Sequence, residues 1–334
     1  MNTRTALACL ICALLSGLIC AYLGYQYAKG NFNSLIAASH AIREGQTEHH
    51  LINPLLACEL PQDKGLDEYS QLEQKVNNLI QEEKDNNATG NVSVYLIRSG
   101  RWVGINENAQ YEPASMLKVV LMIAYFKDSE TRSGLLSTKL LYTEGMKDTA
   151  AGIPYQATSS LAVGNSYRVD ELIDKMIIES DNVAMNILLS GVNESALADV
   201  YTDLGIEGPD NATSTYTISA KSYSLFFRIL YNATYLDQKD SEHALELLSK
   251  TKFDDGLVAG VPKGTLVSHK YGERVTAFPG GLISGVELHD CGFIYPKGEA
   301  KPYFLCVMTK GGTQSSAQKI ISDISSFVYG QLVK

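Results

Sequence analysis

The chain opens on an apolar stretch. No charged side chain lies between Arg4 and Lys29, and Ala6 to Leu23 is rich in Leu, Ile, Ala and Cys. A helix crossing about 30 Å of hydrocarbon needs about 20 such residues, so residues 6–28 are predicted to form a transmembrane signal anchor. The alternative is a cleaved signal peptide, whose apolar part runs about 7–15 residues and ends on small residues. Here the apolar part is longer, and Gln26-Tyr27-Ala28 lacks the small residue such a site needs. Arg4 and Lys29 flank the span almost symmetrically, so charge leaves its orientation open. Residues 29–65 mix polar and apolar positions without a sustained period and read as a solvated juxtamembrane linker. Its tandem His49-His50 has no Cys or carboxylate cluster beside it, so no metal site is expected there.

From residue 66 the pattern sharpens. Leu66, Tyr69, Leu72, Val76, Leu79 and Ile80 recur at helical spacing, and the polar 84–90 stretch ends that helix. Two β-rich runs, 92–97 and 102–105, are split by Ser99-Gly100-Arg101, which predicts a hairpin. Apolar stripes at 116–126, 169–178, 183–190, 195–204, 220–231 and 243–248 predict a helical block. Strand character returns at 265–270, 287–295 and 303–309, and a last amphipathic helix carries Ile320, Ile321, Ile324, Phe327 and Leu332. Two strands, a helical block, three strands and a closing helix describe an α+β domain over residues 66–334, with its first and last helices packed together on one sheet face.

Composition narrows the function. The 334 residues are 45% hydrophobic and 19% charged, as in a folded globular chain. The net charge of −9, with no basic run, argues against a nucleic-acid partner, because phosphate binding needs a basic face. Six cysteines are too few for a disulfide framework at this length. Cys9, Cys12 and Cys20 lie in the apolar segment as small apolar residues, leaving Cys58, Cys291 and Cys306 outside it. If Ile294 faces Tyr303 across the turn at Lys297-Gly298, the same register sets Cys291 opposite Cys306. A cross-strand disulfide and two buried thiols are both compatible with that register.

Three short motifs carry candidate chemistry. Ser115-Met116-Leu117-Lys118 is a Ser-x-x-Lys tetrad, a pattern expected about 1.7 times by chance in this composition and found here three times, the others starting at Ser249 and Ser316. Only Ser115 follows a Pro-Ala pair where a loop meets a helix. Ser115 and Lys118 would lie one turn apart on the same face, at a helix start whose free N–H groups favour developing negative charge. Ser180-Asp181-Asn182, expected about 0.08 times by chance, falls between two predicted helices, where all three residues also serve as ordinary caps. Lys270-Tyr271-Gly272 stands at the end of a predicted strand, where a solvated strand end with a Gly turn is the plain alternative.

In this order, on helix start, loop and strand, the three motifs resemble those of the penicillin-interacting serine enzymes, best the class A β-lactamase branch. The stretch from Tyr111 to Lys118 resembles their nucleophile region, and 290–295 followed by Lys301-Pro302-Tyr303 their next strand pair. The resemblance implies a β-lactamase/transpeptidase-like antiparallel sheet flanked by the N- and C-terminal helices, plus a helical subdomain. It implies acyl transfer: Ser115 as nucleophile, Lys118 as its base, Ser180 as proton shuttle to the leaving nitrogen, and Lys270 lowering the pKa of Lys118 and attracting a substrate carboxylate. Asn182 would bind the substrate's amide side chain, Asp181 would tie down its own loop, and the N–H groups of Ser115 and Glu273 would form the oxyanion hole. The implied partners are a β-lactam or a peptidoglycan stem peptide, with no cofactor, no metal and a monomeric state. Such enzymes act outside the cytoplasmic membrane, which makes residues 1–5 a cytoplasmic tail and the protein a single-pass membrane enzyme facing the cell wall.

Two departures stand out. Class A β-lactamases carry a glutamate, in a long loop after Ser-Asp-Asn, that activates the deacylating water. Here that loop is short, no Glu-x-x-Leu-Asn pattern is present, and Glu207 and Asp210 are the acids nearby. Acylation without efficient deacylation would suit a D-alanyl-D-alanine carboxypeptidase or a non-hydrolysing sensor. Tyr271 stands where the family has Thr or Ser, so beside Gly272 the carboxylate clamp would pass to Arg274, whose planar fork suits bidentate pairing; a solvated charge is its other reading.

Overall fold

Alternation along one strand decides how the sheet is covered. Tyr303–Gly312 sends Tyr303, Leu305 and Val307 into one core and Phe304, Cys306 and Met308 into another, and all six are buried. A strand buried on both faces belongs in the middle of a sheet with both faces covered. In the computed structural model, which describes residues 50–53, 66–85, 89–148, 159–209, 215–277, 283–298 and 300–333, this strand is the centre of a five-stranded antiparallel sheet. Its strands are β1 (Thr89–Arg98), β2 (Arg101–Ile105), β7 (Leu266–Ala277), β8 (Ile283–Tyr295) and β9 (Tyr303–Gly312), in the order β2-β1-β9-β8-β7. The β8–β9 register pairs Ile294 with Tyr303 and Cys291 with Cys306, and the two cysteines form a disulfide.

The first face is covered by the two terminal helices, α1 (Leu66–Asp85) and α8 (Gln314–Leu332). Leu72, Val76 and Ile80 of α1 share one core with Ala317, Ile320, Ile321, Ile324 and Val328 of α8. The hairpin forms as predicted: Ser99 (φ 49°) and Gly100 (φ 77°) both take the left-handed region that a tight two-residue turn requires.

The second face carries the helical lobe. Its centre is α2 (Lys118–Thr131), whose residues 119–126 are all buried, because a run of Val, Leu, Met, Ile, Ala and aromatics has no polar face to show to water. Around it lie α3 (Val169–Ile178), α4 (Asn182–Gly191), α5 (Glu194–Asp203), α6 (Ala220–Tyr231) and α7 (Gln238–Leu248). The small pairs β3 (Gln110–Tyr111) with β6 (Ile218–Ser219), and β4 (Lys139–Leu141) with β5 (Ser166–Arg168), are too short to show a sequence period.

Two expectations need correction. Residues 29–65 are not solvated throughout: Leu51 and Ile52 are buried, their N–H groups donate to the Glu242 carboxylate at 2.9 and 3.0 Å, and Tyr295 Oη donates to the Leu51 carbonyl at 3.1 Å. An apolar pair with a buried partner for its backbone docks even without a period. The strand expected over 265–270 continues to Ala277, paired with β8, so Gly272 lies within a strand and is no turn. The segment expected to cross the membrane, together with residues 1–49 and 54–65, Cys58 and Asp210, lies outside the described residues. Among the described residues no helix is long and apolar enough to span a bilayer.

Candidate active site

The nucleophile candidate sits on a tight turn. Pro113 precedes a 3-10 turn, Ala114–Leu117, that runs directly into α2. Ala114 takes φ 48°, a backbone state that is costly for a residue with a Cβ and is typical of strained functional turns. The turn is closed by the Met116 N–H donating to the Pro113 carbonyl at 3.0 Å and tied to α6 by Tyr223 Oη donating to the Met116 carbonyl at 3.0 Å. Ser115 and Lys118 lie one turn apart, with Lys118 Nζ 3.1 Å from Ser115 Oγ.

Lys118 is buried, and three further oxygens surround its amine: the Ser180 carbonyl at 2.6 Å, Asn182 Oδ1 at 2.6 Å and Ser180 Oγ at 3.1 Å. The first two can only accept. A neutral lysine has two N–H donors and one lone pair, so the two short bonds take both donors and the lone pair is left for a serine hydroxyl. Burial lowers the Lys118 pKa to about 7, against the opposing pull of Asp181 and Asp148. The amine is therefore poised to act as a base near neutrality.

Ser180 joins the two lysines. It lies between α3 and α4 with φ 55°, and Asp181 caps α4 by accepting from the Ala184 N–H at 3.1 Å. That corner points the Ser180 carbonyl and hydroxyl at Lys118. Lys270, on the edge strand β7 and fully buried, donates to Ser180 Oγ at 3.0 Å. Burial holds the Lys270 amine well below the ordinary lysine range; the Lys118 charge adds to this and Asp290 opposes it. Behind Lys270, His269 Nδ1 lies 2.8 Å from Asp290 Oδ1, while Asp290 Oδ2 accepts from the Leu257 N–H at 2.8 Å.

The remaining expected residues follow β7. The Tyr271 ring is buried and stacks on Phe253 with centroids 4.2 Å apart. Its hydroxyl is pushed up to about 12 by burial, opposed by a hydrogen bond with the Ser180 side chain. A Cβ on Gly272 would lie 2.3 Å from the Pro113 carbonyl oxygen and 2.8 Å from Met116 Cγ, so β7 touches the nucleophile's turn at a point where only glycine fits. Glu273 is buried next to that contact. Arg274 is neither solvated alone nor an open clamp: its guanidinium is ion-paired to Glu112.

Glu112 was given no role within the 111–118 stretch, and Asp148 carries no motif. The Glu112 N–H donates to Glu287 Oε2 at 3.1 Å, and its carbonyl accepts from His289 Nε2 at 3.1 Å. His289 Nδ1 accepts from the Thr309 N–H, which places the ring proton on Nε2, and burial holds this histidine neutral down to about pH 4. Asp148 Oδ2 accepts from Asn182 Nδ2 at 2.9 Å. Of the two loop acids, Glu207 is exposed and its charge acts on Tyr216. Among the described residues the acids Glu130, Asp237 and Asp240 lie close enough to share an ion, but they already serve as caps: the Asp237 N–H donates to Glu130 Oε1 and the Asp240 N–H to Asp237 Oδ1.

An α+β architecture with a serine, two buried lysines and a bridging serine at the sheet edge defines a class A β-lactamase-like serine hydrolase. The chain belongs to the Beta-lactamase enzyme family, which matches residues 71–332. It is 25% identical over 251 residues to the beta-lactamase of Streptomyces albus G, covering 71% of this chain and 77% of that one. The structure of PBP-A matches with a TM-score of 0.64 at 19% identity, over 84% of this chain and 98% of that one. The TLA-1 extended spectrum β-lactamase matches at 0.67 and 19%, over 80% and 99%, and the class A β-lactamase of Mycobacterium abscessus at 0.63 and 22%, over 78% and 98%. At these identities the structural likenesses establish the β-lactamase/transpeptidase-like fold.

Proposed function

We propose that the domain is acylated at Ser115 by β-lactams and hydrolyses the resulting ester. Neutral Lys118 takes the Ser115 proton as Oγ attacks the lactam carbonyl. The tetrahedral oxyanion would be held by the N–H groups of Ser115 and Glu273. Ser180, between the two amines, delivers a proton to the leaving nitrogen as the C–N bond breaks, leaving an acyl-Ser115. Lys270 offers N–H donors to a substrate carboxylate, whose own charge would favour the ammonium against burial, and Asn182 meets the substrate's acyl amide. The observation that carries this reading is the hydrogen-bond inventory of Lys118, whose two short bonds go to obligate acceptors and whose lone pair is left for a hydroxyl, with Ser115 Oγ and Ser180 Oγ each 3.1 Å away.

The second reading is a penicillin-binding D-alanyl-D-alanine carboxypeptidase, or a wall-peptide sensor, that deacylates slowly. The exposure of Glu207 favours it, since this loop acid is not among the acids acting on Lys118, which are Asp181 and Asp148. In either case residues 6–28 would anchor the protein in the cytoplasmic membrane as a single span, with the catalytic domain on the wall side and acting as a monomer. Full-length protein in detergent, incubated with a fluorescent penicillin and a chromogenic cephalosporin, tests the choice. Turnover supports the lactamase, and stable labelling without turnover the second reading. Absence of both, in folded protein, defeats each. Ser115→Ala must abolish labelling.

A further inference from the structure

We propose that Asp148 is a positioning residue for the general base, fixing the amide of Asn182 so that the Lys118 lone pair stays open to a serine hydroxyl. The inference rests on the reading of Ser115 as the acylated serine. An ionised carboxylate can only accept hydrogen bonds, so the group Asn182 turns toward Asp148 Oδ2, at 2.9 Å, must be its NH2. The amide oxygen then faces Lys118 Nζ at 2.6 Å and consumes one of its donors. An amide oxygen and nitrogen are nearly equal in size, and only the surrounding partners decide which way the group points. Were it reversed, Nδ2 would donate to the lysine lone pair, and the base would be blocked by its own neighbour.

The charge of Asp148 acts on the same amine. The charged and titratable groups around Lys118 are Asp181 from the α3–α4 corner, Asp148 from the segment before β5, and Lys270 from β7 across Ser180; Asp148 and Asp181 both favour the ammonium. Asp148 therefore has two separable effects: it orients the amide, and it raises the pH at which Lys118 sheds its proton.

Two variants separate them in full-length protein. Asp148→Leu removes the acceptor, and the acylation rate with benzylpenicillin is expected to fall about 10- to 100-fold across the pH range, the scale on which a misplaced base loses efficiency. Asp148→Asn keeps an acceptor but no charge, and the acid limb of the acylation profile is expected to move to lower pH. The Lys118 titration, followed by NMR at Cε, must move the same way. Wild-type rates and an unmoved limb in both variants would overturn the proposal. If the wild type itself is not acylated, the parent reading falls. In that event an unmoved Lys118 Cε titration in Asp148→Asn sinks the positioning role independently, and a shifted one upholds it.

Discussion

Arg274 and Glu112 form an ion pair that ties the residue three before Ser115 to the edge strand bearing Lys270. The pair is lopsided: the Arg274 side chain is 43% exposed and that of Glu112 16%. The backbone of Glu112 is held separately by Glu287 and His289, so the turn does not depend on the carboxylate. In the bound state a substrate carboxylate and Glu112 would compete for one guanidinium. Glu112→Gln is therefore expected to raise the second-order acylation constant for penicillins about 2- to 5-fold, while changing unfolding stability by less than about 1 kcal/mol, as for a part-exposed pair. A fall in that constant would mean Arg274 only braces the turn and binds no substrate.

The pH dependence follows from Lys118. Only the neutral amine has a lone pair, and burial places its pKa at about 7. Acylation should rise with pH through that value and level off above it, dropping about tenfold per unit on the acid side, as for a single deprotonation. Stopped-flow acylation rates across the profile check this. A flat profile through neutrality would exclude Lys118 as the base.

Ser180 connects the two amines through one oxygen, 3.1 Å from Lys118 Nζ and 3.0 Å from Lys270 Nζ. Ser180→Ala removes the proton route to the leaving nitrogen and leaves Lys118 with its carbonyl and amide partners. The acylation rate should fall about 10²- to 10⁴-fold, the usual weight of a positioned proton donor, with the far-UV spectrum unchanged. Near-wild-type acylation would assign the proton delivery elsewhere.

Cys291 and Cys306 close a loop of 15 residues between the neighbouring inner strands β8 and β9. Restricting the unfolded chain by a loop of that size is worth about 3 kcal/mol. The double substitution Cys291→Ala, Cys306→Ala should lower the unfolding free energy in urea by about 2–4 kcal/mol. Equal stability with and without reductant would show that the wild-type thiols are free.

What the sequence carries locally is also what it revealed. The runs Val119 to Phe126 and Tyr303 to Met308 announce an all-round buried helix and a strand covered on both faces, because each is apolar at every position. Ser115, Lys118 and Ser180 were legible because their motifs sit at element boundaries that period and caps define, whereas Lys270, inside β7, was legible only through the order of the three motifs. Asp148 was not, since nothing in residues 144–148 says that their loop returns to Asn182. The stacking of Tyr271 on Phe253, and the pairing of Arg274 with Glu112, depend on which strands become neighbours, and no local pattern encodes that. A Gly turn at Gly272 was the plain alternative to the motif, and glycine is indeed unfavourable inside a strand. A close backbone approach outweighs that preference here.

That approach yields the sharpest structural test. A Cβ at residue 272 would stand 2.3 Å from the Pro113 carbonyl oxygen, the same oxygen that accepts the Met116 N–H and closes the turn holding Ser115. A contact that short cannot be absorbed by rotating a side chain, so either β7 withdraws or the turn opens. Both move Ser115 relative to Lys118, and a shift of about 1 Å costs on the order of 100-fold in rate. Gly272→Ala is expected to slow acylation by about 10- to 100-fold and to lower the melting temperature. Gly272→Ala with unchanged kinetics and melting would mean that β7 does not press on the nucleophile's turn, and that the turn owes its shape to Glu287, His289 and Tyr223 alone.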